Sequence, residues 1–159
     1  MVYLPPQSYC EITAASEIFD AGILSAPSTA TAPPVLLDGV AVVNKQAGRD
    51  NWQRTVYSAL GEDVPAERLV AGETLSPPCN WSSFPPHKHD CSNSRLEALL
   101  EEVYFFCTKP ARGLGVIWTY MAVDEPDGIS TVFAVGVRDT VLLPRSYHRV
   151  VGGPGYQLH

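Results

Sequence analysis

The stretch Pro77–Phe106, PPCNWSSFPPHKHDCSNSRLEALLEEVYFF, decides how this chain is read. It holds a Trp-Ser-Ser-aromatic-Pro-Pro lead, a His-Lys-His triplet, and a Glu-Glu pair running into an aromatic string. His87 and His89 are two residues apart, so on a strand both imidazoles face one side. Two imidazoles on one face, met by a carboxylate from the next strand, are how an all-β barrel builds a metal site. Two of the chain's four histidines lie here.

The rest of the composition agrees with a barrel. At 159 residues the chain suits a single domain with a sizeable core. Fourteen prolines and twelve glycines punctuate it, which favours short strands and turns over long helices. With 11 Lys and Arg against 17 Asp and Glu, the net charge is -6 and no basic patch stands out, so nucleic acid is excluded as a partner. Cys10, Cys79, Cys91 and Cys107 are irregularly spaced, follow no signal peptide and form no Cys-x-x-Cys pair. They read as reduced thiols of a cytoplasmic protein, not as a zinc ribbon. The most apolar region, Ile23 to Val43, is broken by Ser, Thr, Pro33, Pro34 and Asp38, so no membrane span is expected.

Along the chain, Met1–Pro6 (VYLPP) and residues 9–14 (YCEITA) read as β, and residues 25–34 (SAPSTATAPP) as a charge-free connector lying on the surface. Leu37–Asn44 is β-like. Asn51–Tyr57 reads as a strand with Trp52, Arg54 and Val56 on one face, and Arg68–Leu75 as another. Ser94–Glu101 (SRLEALLE) has the composition of a helical turn or two. Short strands follow: VYFF from Val103, then Gly115–Val123, Ile129–Val135, Thr140–Leu143 and His148–Val151. Turn signals separate them at Lys109-Pro110, Pro126-Asp127-Gly128, Pro144 and Gly152-Gly153-Pro154. Strands at this spacing indicate a sandwich or small barrel.

His148 opens one of the late strands. The order His-x-His, then Glu one strand on, then His near the end of the barrel resembles the two cupin motifs. That resemblance assigns His87, His89, Glu102 and His148 to one divalent ion, with Zn, Mn, Fe or Ni all suited to the donor set. Glu97, Glu101 and Glu102 compete for the acidic position. If Glu102 opens the VYFF strand, it shares a face with Tyr104 and Phe106 while Glu101 points away, which favours Glu102.

The strings AGETLSPPCNWSSFPPHKHD, LEEVYFF, VDE and LLPRSYH, with NWQRTV and more loosely VYLPPQSYCEITA, resemble the 5-deoxy-glucuronate isomerase family of inositol catabolism. They are more distantly similar to 4-deoxy-5-hexosulose-uronate ketol-isomerase. The resemblance implies a bicupin, two jelly-roll barrels (double-stranded β-helices) in tandem. The chain is too short for two barrels. Residues 1–45 are therefore expected to be remnant strands of an N-terminal cupin with a connector, and residues 46–159 a cupin carrying the metal. Either the chain is a fragment, or it is a short form that borrows strands from a partner copy. At least a dimer is expected, because an incomplete first barrel leaves strand edges to cover.

The resemblance also implies a reaction: metal-dependent aldose–ketose isomerisation of a deoxy-uronic acid, 5-deoxy-glucuronate to 5-deoxy-2-keto-gluconate. The metal would act as a Lewis acid, and a base would move a proton between adjacent carbons. Tyr147, Tyr104 and Glu102 are the candidates for proton transfer. Arg145 and Lys88 are the candidates for pairing with the substrate carboxylate. Strand alternation points Lys88 away from the metal, which favours a structural role for it. Trp81 and Phe84 read as wall aromatics, and Ser82 and Ser83 as turn residues. Asp124 and Glu125 match the family string and equally suit a solvated turn. Cys79, Arg138 and Ser146 stand where the family pattern has Gly, Cys107 where it has Arg, and Ile117-Trp118 where it has Gln-Arg. These departures keep open a non-catalytic metal- or sugar-acid-binding cupin, and the ligand set alone also admits a cupin dioxygenase.

Overall fold

The computed structural model describes residues 1–39, 42–61, 63–90, 99–122 and 130–159. Its elements are β1 (Val2–Tyr3), β2 (Val35–Leu36), β3 (Val43–Ala47), a 3-10 turn at Asp50–Trp52, β4 (Arg54–Leu60), β5 (Ala71–Leu75) and β6 (Trp81–Ser82). Then follow β7 (Glu102–Phe105), β8 (Thr108–Lys109), β9 (Gly115–Tyr120), β10 (Ser130–Val135), β11 (Thr140–Leu143), β12 (Tyr147–Gly152) and β13 (Gln157–Leu158). The described chain is all-β apart from that turn, as expected. No described helix is long and apolar enough to cross a membrane.

The chain forms two compact units, Met1–Asn44 with Tyr57–Glu73, and Lys45–Val56 with Thr74–His159. β3, β4 and β5 follow one another in a three-stranded sheet. In the first unit β1 pairs antiparallel with β2, and Tyr3, Leu37 and Leu60 form a small buried core under Val35, Val64 and Leu69. Residues 9–14 make no strand. Tyr9 and Ile12 lie exposed, and with no ladder partner a weak alternation has nothing to bury. The connector 25–34 is irregular, as expected. It is tied down by Glu67, whose carboxylate accepts from Ser28 Oγ (2.7 Å), Thr29 N (2.9 Å) and Ala30 N (3.1 Å).

The second unit is a cupin-like sandwich. One sheet runs β10-β9-β12-β6, all antiparallel, and the pairs β11-β7 and β13-β8 complete the unit. Period-2 alternation sorts β9 and β12 cleanly: Ile117, Thr119, His148 and Val150 are buried, and Trp118, Tyr120, Tyr147 and Arg149 take the other face. Ile117 and Val150 pair directly and join Phe106, Val135, Leu143 and Leu158 in the core. Each such apolar side chain contributes about 1.5–3 kcal/mol by its burial. Gly115 and Gly152 make room for Leu158. A Cβ at Gly115 would stand 2.9 Å from Leu158 Cδ1, and one at Gly152 would stand 2.9 Å from the Tyr156 carbonyl.

Two expectations for the sheet are corrected. Asn51 and Trp52 lie in the 3-10 turn, not in a strand. Gly48, at φ +79°, lets Trp52 fold back so closely that any Cβ there would collide with the Trp52 carbonyl. His87 and His89 do not lie on a ladder strand, because β6 ends at Ser82. Pro85 and Pro86 lack the N–H a ladder needs, and the Phe84–Pro85 peptide is cis. The expected helical turn at 94–101 falls mostly outside the described residues, as do Asp124, Glu125 and the Pro126-Asp127-Gly128 turn.

Candidate metal centre

The inner face of β12 delivers His148, which is 1% exposed, and β7 delivers Glu102 and Tyr104 in register across from Leu143 and Val141 of β11, with the buried Phe106 just past its end. Glu101 is exposed. The segment after β6 brings in the other two imidazoles. The His87 ring centroid lies 5.2 Å from that of His89 and 5.1 Å from that of His148, with 6.4 Å between His89 and His148. Glu102 Oε2 stands 3.4 Å from His148 Nε2 and 3.8 Å from His89 Nε2.

Each imidazole is aimed by its backbone. Nδ1 of His87 lies 3.0 Å from the Pro85 carbonyl, which can only accept, so Nδ1 carries the proton and Nε2 presents a lone pair. His148 bonds to the backbone of Ser146, while its Nε2 faces Glu102 and the Tyr104 hydroxyl at 3.3 Å. Burial holds the His148 imidazole below its usual range. The Glu102 carboxylate opposes this, and His87 and His89 reinforce it. A neutral imidazole is the ligand form.

The fit to a divalent cation can be judged from the carboxylate. Glu102 Oε2 is buried and accepts no hydrogen bond of normal geometry, a costly state for a charged oxygen unless a cation or a donor meets it. Two ligand atoms at about 2.0–2.1 Å from one tetrahedral ion lie about 3.3 Å apart, close to the 3.4 Å between Glu102 Oε2 and His148 Nε2. The four side chains are gathered without being clamped: among the described residues no group of three or more His, Cys, Asp or Glu stands in a finished metal-holding arrangement. The donor types of His87, His89, Glu102 and His148, with that buried oxygen, are those that would suit a divalent ion.

Around this cluster the other candidates separate. Tyr104 belongs to it. Its hydroxyl is 3.0 Å from Ser83 Oγ and 3.3 Å from His148 Nε2, and its ring stacks on Phe106 at 5.6 Å. Burial, then the neighbouring Glu102 charge, pushes the Tyr104 phenol far above its usual value. Tyr147 takes the opposite face of β12, stacked on Tyr120 at 5.5 Å. Lys88 is on that side too, 5.3 Å over the Tyr147 ring, with Nζ 3.4 Å from Asp90 Oδ1. Arg145 is exposed in the bend before β12.

Two neighbours escape a reading of the sequence. The Ser83 hydroxyl meets Tyr104 across 21 positions of chain, where only turn chemistry was legible. Arg54 donates from Nη1 to the Trp52 carbonyl and from Nη2 to the Phe84 carbonyl, each at 3.2 Å. Burial lowers its pKa and the nearby Tyr104 opposes that. A basic residue in a polar string gave no signal of this role. Ile117, at the family's Gln position, is fully buried and puts a hydrocarbon beneath the site. Cys10, Cys79 and Cys107 are free thiols, and Cys91 lies outside the described residues.

The chain is similar to several known proteins. The chain is 35% identical over 156 residues to 5-deoxy-glucuronate isomerase of Geobacillus kaustophilus HTA426, covering 98% of this chain and 55% of that protein. It is 33% identical over 156 residues to the Bacillus subtilis 168 enzyme of the same name, covering 98% and 56%. The crystal structure of an IolB-like protein from Salmonella typhimurium LT2 superposes with a TM-score of 0.77 at 29% identity, over 83% of this chain and 49% of that one. The chain thus spans about half the length of these relatives. The family model described as KduI/IolB matches residues 1–159, and with the cupin-like sandwich shared as well, the chain belongs to the KduI/IolB family.

Proposed function

We propose that this chain is the metal-binding cupin of a sugar-acid isomerase that interconverts 5-deoxy-glucuronate and 5-deoxy-2-keto-gluconate in inositol catabolism. The single observation that carries the reading is the gathering of His87, His89 and His148 beside the Glu102 carboxylate, whose buried Oε2 stands 3.4 Å from His148 Nε2 and 3.8 Å from His89 Nε2. The names of the relatives supply the substrate class. His87, His89, Glu102 and His148 would hold one divalent ion, whose chemistry there is Lewis-acid polarisation of a carbonyl oxygen.

The chain's own groups supply the proton handling. Isomerisation moves one proton between adjacent carbons, so a donor and an acceptor must stand on the same side of the substrate. Tyr104 is favoured over Tyr147, which faces the other side of β12. Its raised pKa keeps the proton at Oη, and Ser83 and His148 fix the hydroxyl's direction. Phe106 and Ile117 close the floor and exclude water. The free thiols support a reducing, cytoplasmic setting.

A second reading, a cupin that binds metal without turnover, is favoured by one observation: a fully buried Ile117 stands where the family pattern has Gln. Metal analysis and an NMR assay of 5-deoxy-glucuronate separate the two. The isomerase reading expects about one divalent ion per chain, lost in His87→Ala, together with turnover that Tyr104→Phe lowers by about 10²–10⁴-fold. Metal without turnover selects the second reading, and a pure protein that takes up no divalent ion overturns both.

A further inference from the structure

The outer face of the β10-β9-β12-β6 sheet carries features that the metal centre does not use. Because side chains alternate, Arg149 points away from His148, and Trp81, paired with Val151, shares its face. Trp81, Ser82, Arg149, Asn51, Trp52 and Phe84 line a cleft of about 310 Å³, at the lower end of the roughly 300–1,000 Å³ typical of small-molecule sites. None of the four candidate metal ligands lines it.

Among the described residues Arg149 is the only charged one lining it, and the guanidinium is held ready. Nε donates to the Tyr120 hydroxyl at 3.0 Å, and the group lies 5.4 Å over the Tyr120 ring and 5.8 Å over that of Trp118. Among the described residues no carboxylate pairs with it, although the protein carries a net charge of -6. With Nε committed, the terminal N–H groups of the fork are the ones left to bind an anion, and a carboxylate matches that fork bidentately. The walls are aromatic: Trp52 meets Phe84 edge-on at 4.8 Å, with Trp81 alongside. Indole and phenyl faces suit the C–H face of a sugar ring. The Asn51 amide offers a donor and an acceptor to ring hydroxyls.

We propose that this cleft is a second binding site, separate from the metal centre, for a sugar acid: a hydroxylated ring carrying one carboxylate. The carboxylate sits on Arg149 and the ring lies against Trp52, Trp81 and Phe84. Because the site shares no lining residue with the metal cluster, it stands whether or not the isomerase reading does.

The chain carries its own reporter, since Trp52 and Trp81 line the cleft and the third tryptophan, Trp118, lies under Arg149. Titration with D-glucuronate is expected to change tryptophan emission saturably at millimolar concentration. The apparent Kd should weaken by about tenfold or more in Arg149→Gln and less in Arg149→Lys, which keeps charge without the planar fork. In His87→Ala it should stay within about twofold. D-glucose and inorganic phosphate should each bind at least about tenfold more weakly than glucuronate, lacking the charge and the ring respectively. If Arg149→Gln does not fold, Asn51→Asp on the exposed rim serves instead, placing a carboxylate in the cleft to compete for Arg149 and repel the ligand. The proposal is overturned by absence of a saturable change, by binding that neither Arg149→Gln nor Asn51→Asp weakens, by loss confined to His87→Ala, or by phosphate binding as tightly as glucuronate.

Discussion

At Ser146 the backbone takes φ 105°, and Cys79 and Arg138 take φ 63° and 69°. These are the three positions where the family pattern places Gly, and the structure shows why: all three lie in the left-handed half of φ space, which glycine enters freely and other residues rarely. Ser146 is the most consequential, because it is buried, sits two residues before His148 and bonds to that imidazole through its backbone. Ser146→Gly is expected to stabilise the fold by about 1 kcal/mol, read as a higher denaturation midpoint. An unchanged or lower midpoint would show that the site has relaxed around serine. Legibility at this scale followed locality. The choice of Glu102 over Glu101 follows from period-2 alternation, so it could be read from the string alone. The Ser83–Tyr104 bond joins the bend after β6 to β7, and nothing near either residue announces it.

Among the elements, the segment between β6 and β7 behaves unlike the rest. Over its described residues 83–90 two prolines interrupt any ladder, and single bonds tie it: Arg54 Nη2 to the Phe84 carbonyl at 3.2 Å, and Leu100 N to the His89 carbonyl at 2.9 Å. Arg54→Ala removes the first and leaves two carbonyls without their donor. It is expected to destabilise the fold by about 1–3 kcal/mol and to weaken divalent-metal affinity by about 10–100-fold. Calorimetric titration with zinc checks the second figure, and wild-type affinity would show that the segment is fixed by other contacts. The connector 25–34 depends on Glu67 in the same way. Hydrogen bonds from Ser28 and Thr29 hold the Glu67 pKa below its usual value. Its folded pKa is depressed, so its contribution is complete above the ordinary carboxylate range and lost as pH falls through the depressed value. The protection factors of the Thr29 and Ala30 amides, taken against their intrinsic rates, are expected to fall on acidification through that window, and at neutral pH in Glu67→Ala. Exchange that ignores both changes would detach the connector from Glu67. The sequence marked this stretch as a connector by its prolines and small residues, but the distant carboxylate that fastens it carries no local signature.

For the molecule as a whole, strand spacing and turn residues made the all-β architecture readable. The exact strands in the first half were less so: of the described part of Leu37–Asn44 only Val43 and Asn44 enter a strand, β3, and residues 9–14 enter none. Among the described strands β10 pairs only with β9, and it exposes Val132 (63%) and Phe133 (44%). An apolar edge of this kind invites pairing with a second copy. Sedimentation is expected to report at least a dimer, and Val132→Lys to shift it toward monomer. A monodisperse monomer would remove the expectation. β12 bears on more than its own sheet. His148 and Arg149 share one peptide unit and face opposite ways, so a shift of this strand that helps or hinders one of them is transmitted to the other. Heterotropic linkage follows: by whatever factor an acid seated on Arg149 changes the affinity for an ion at His148, the ion must change the affinity for the acid by the same factor.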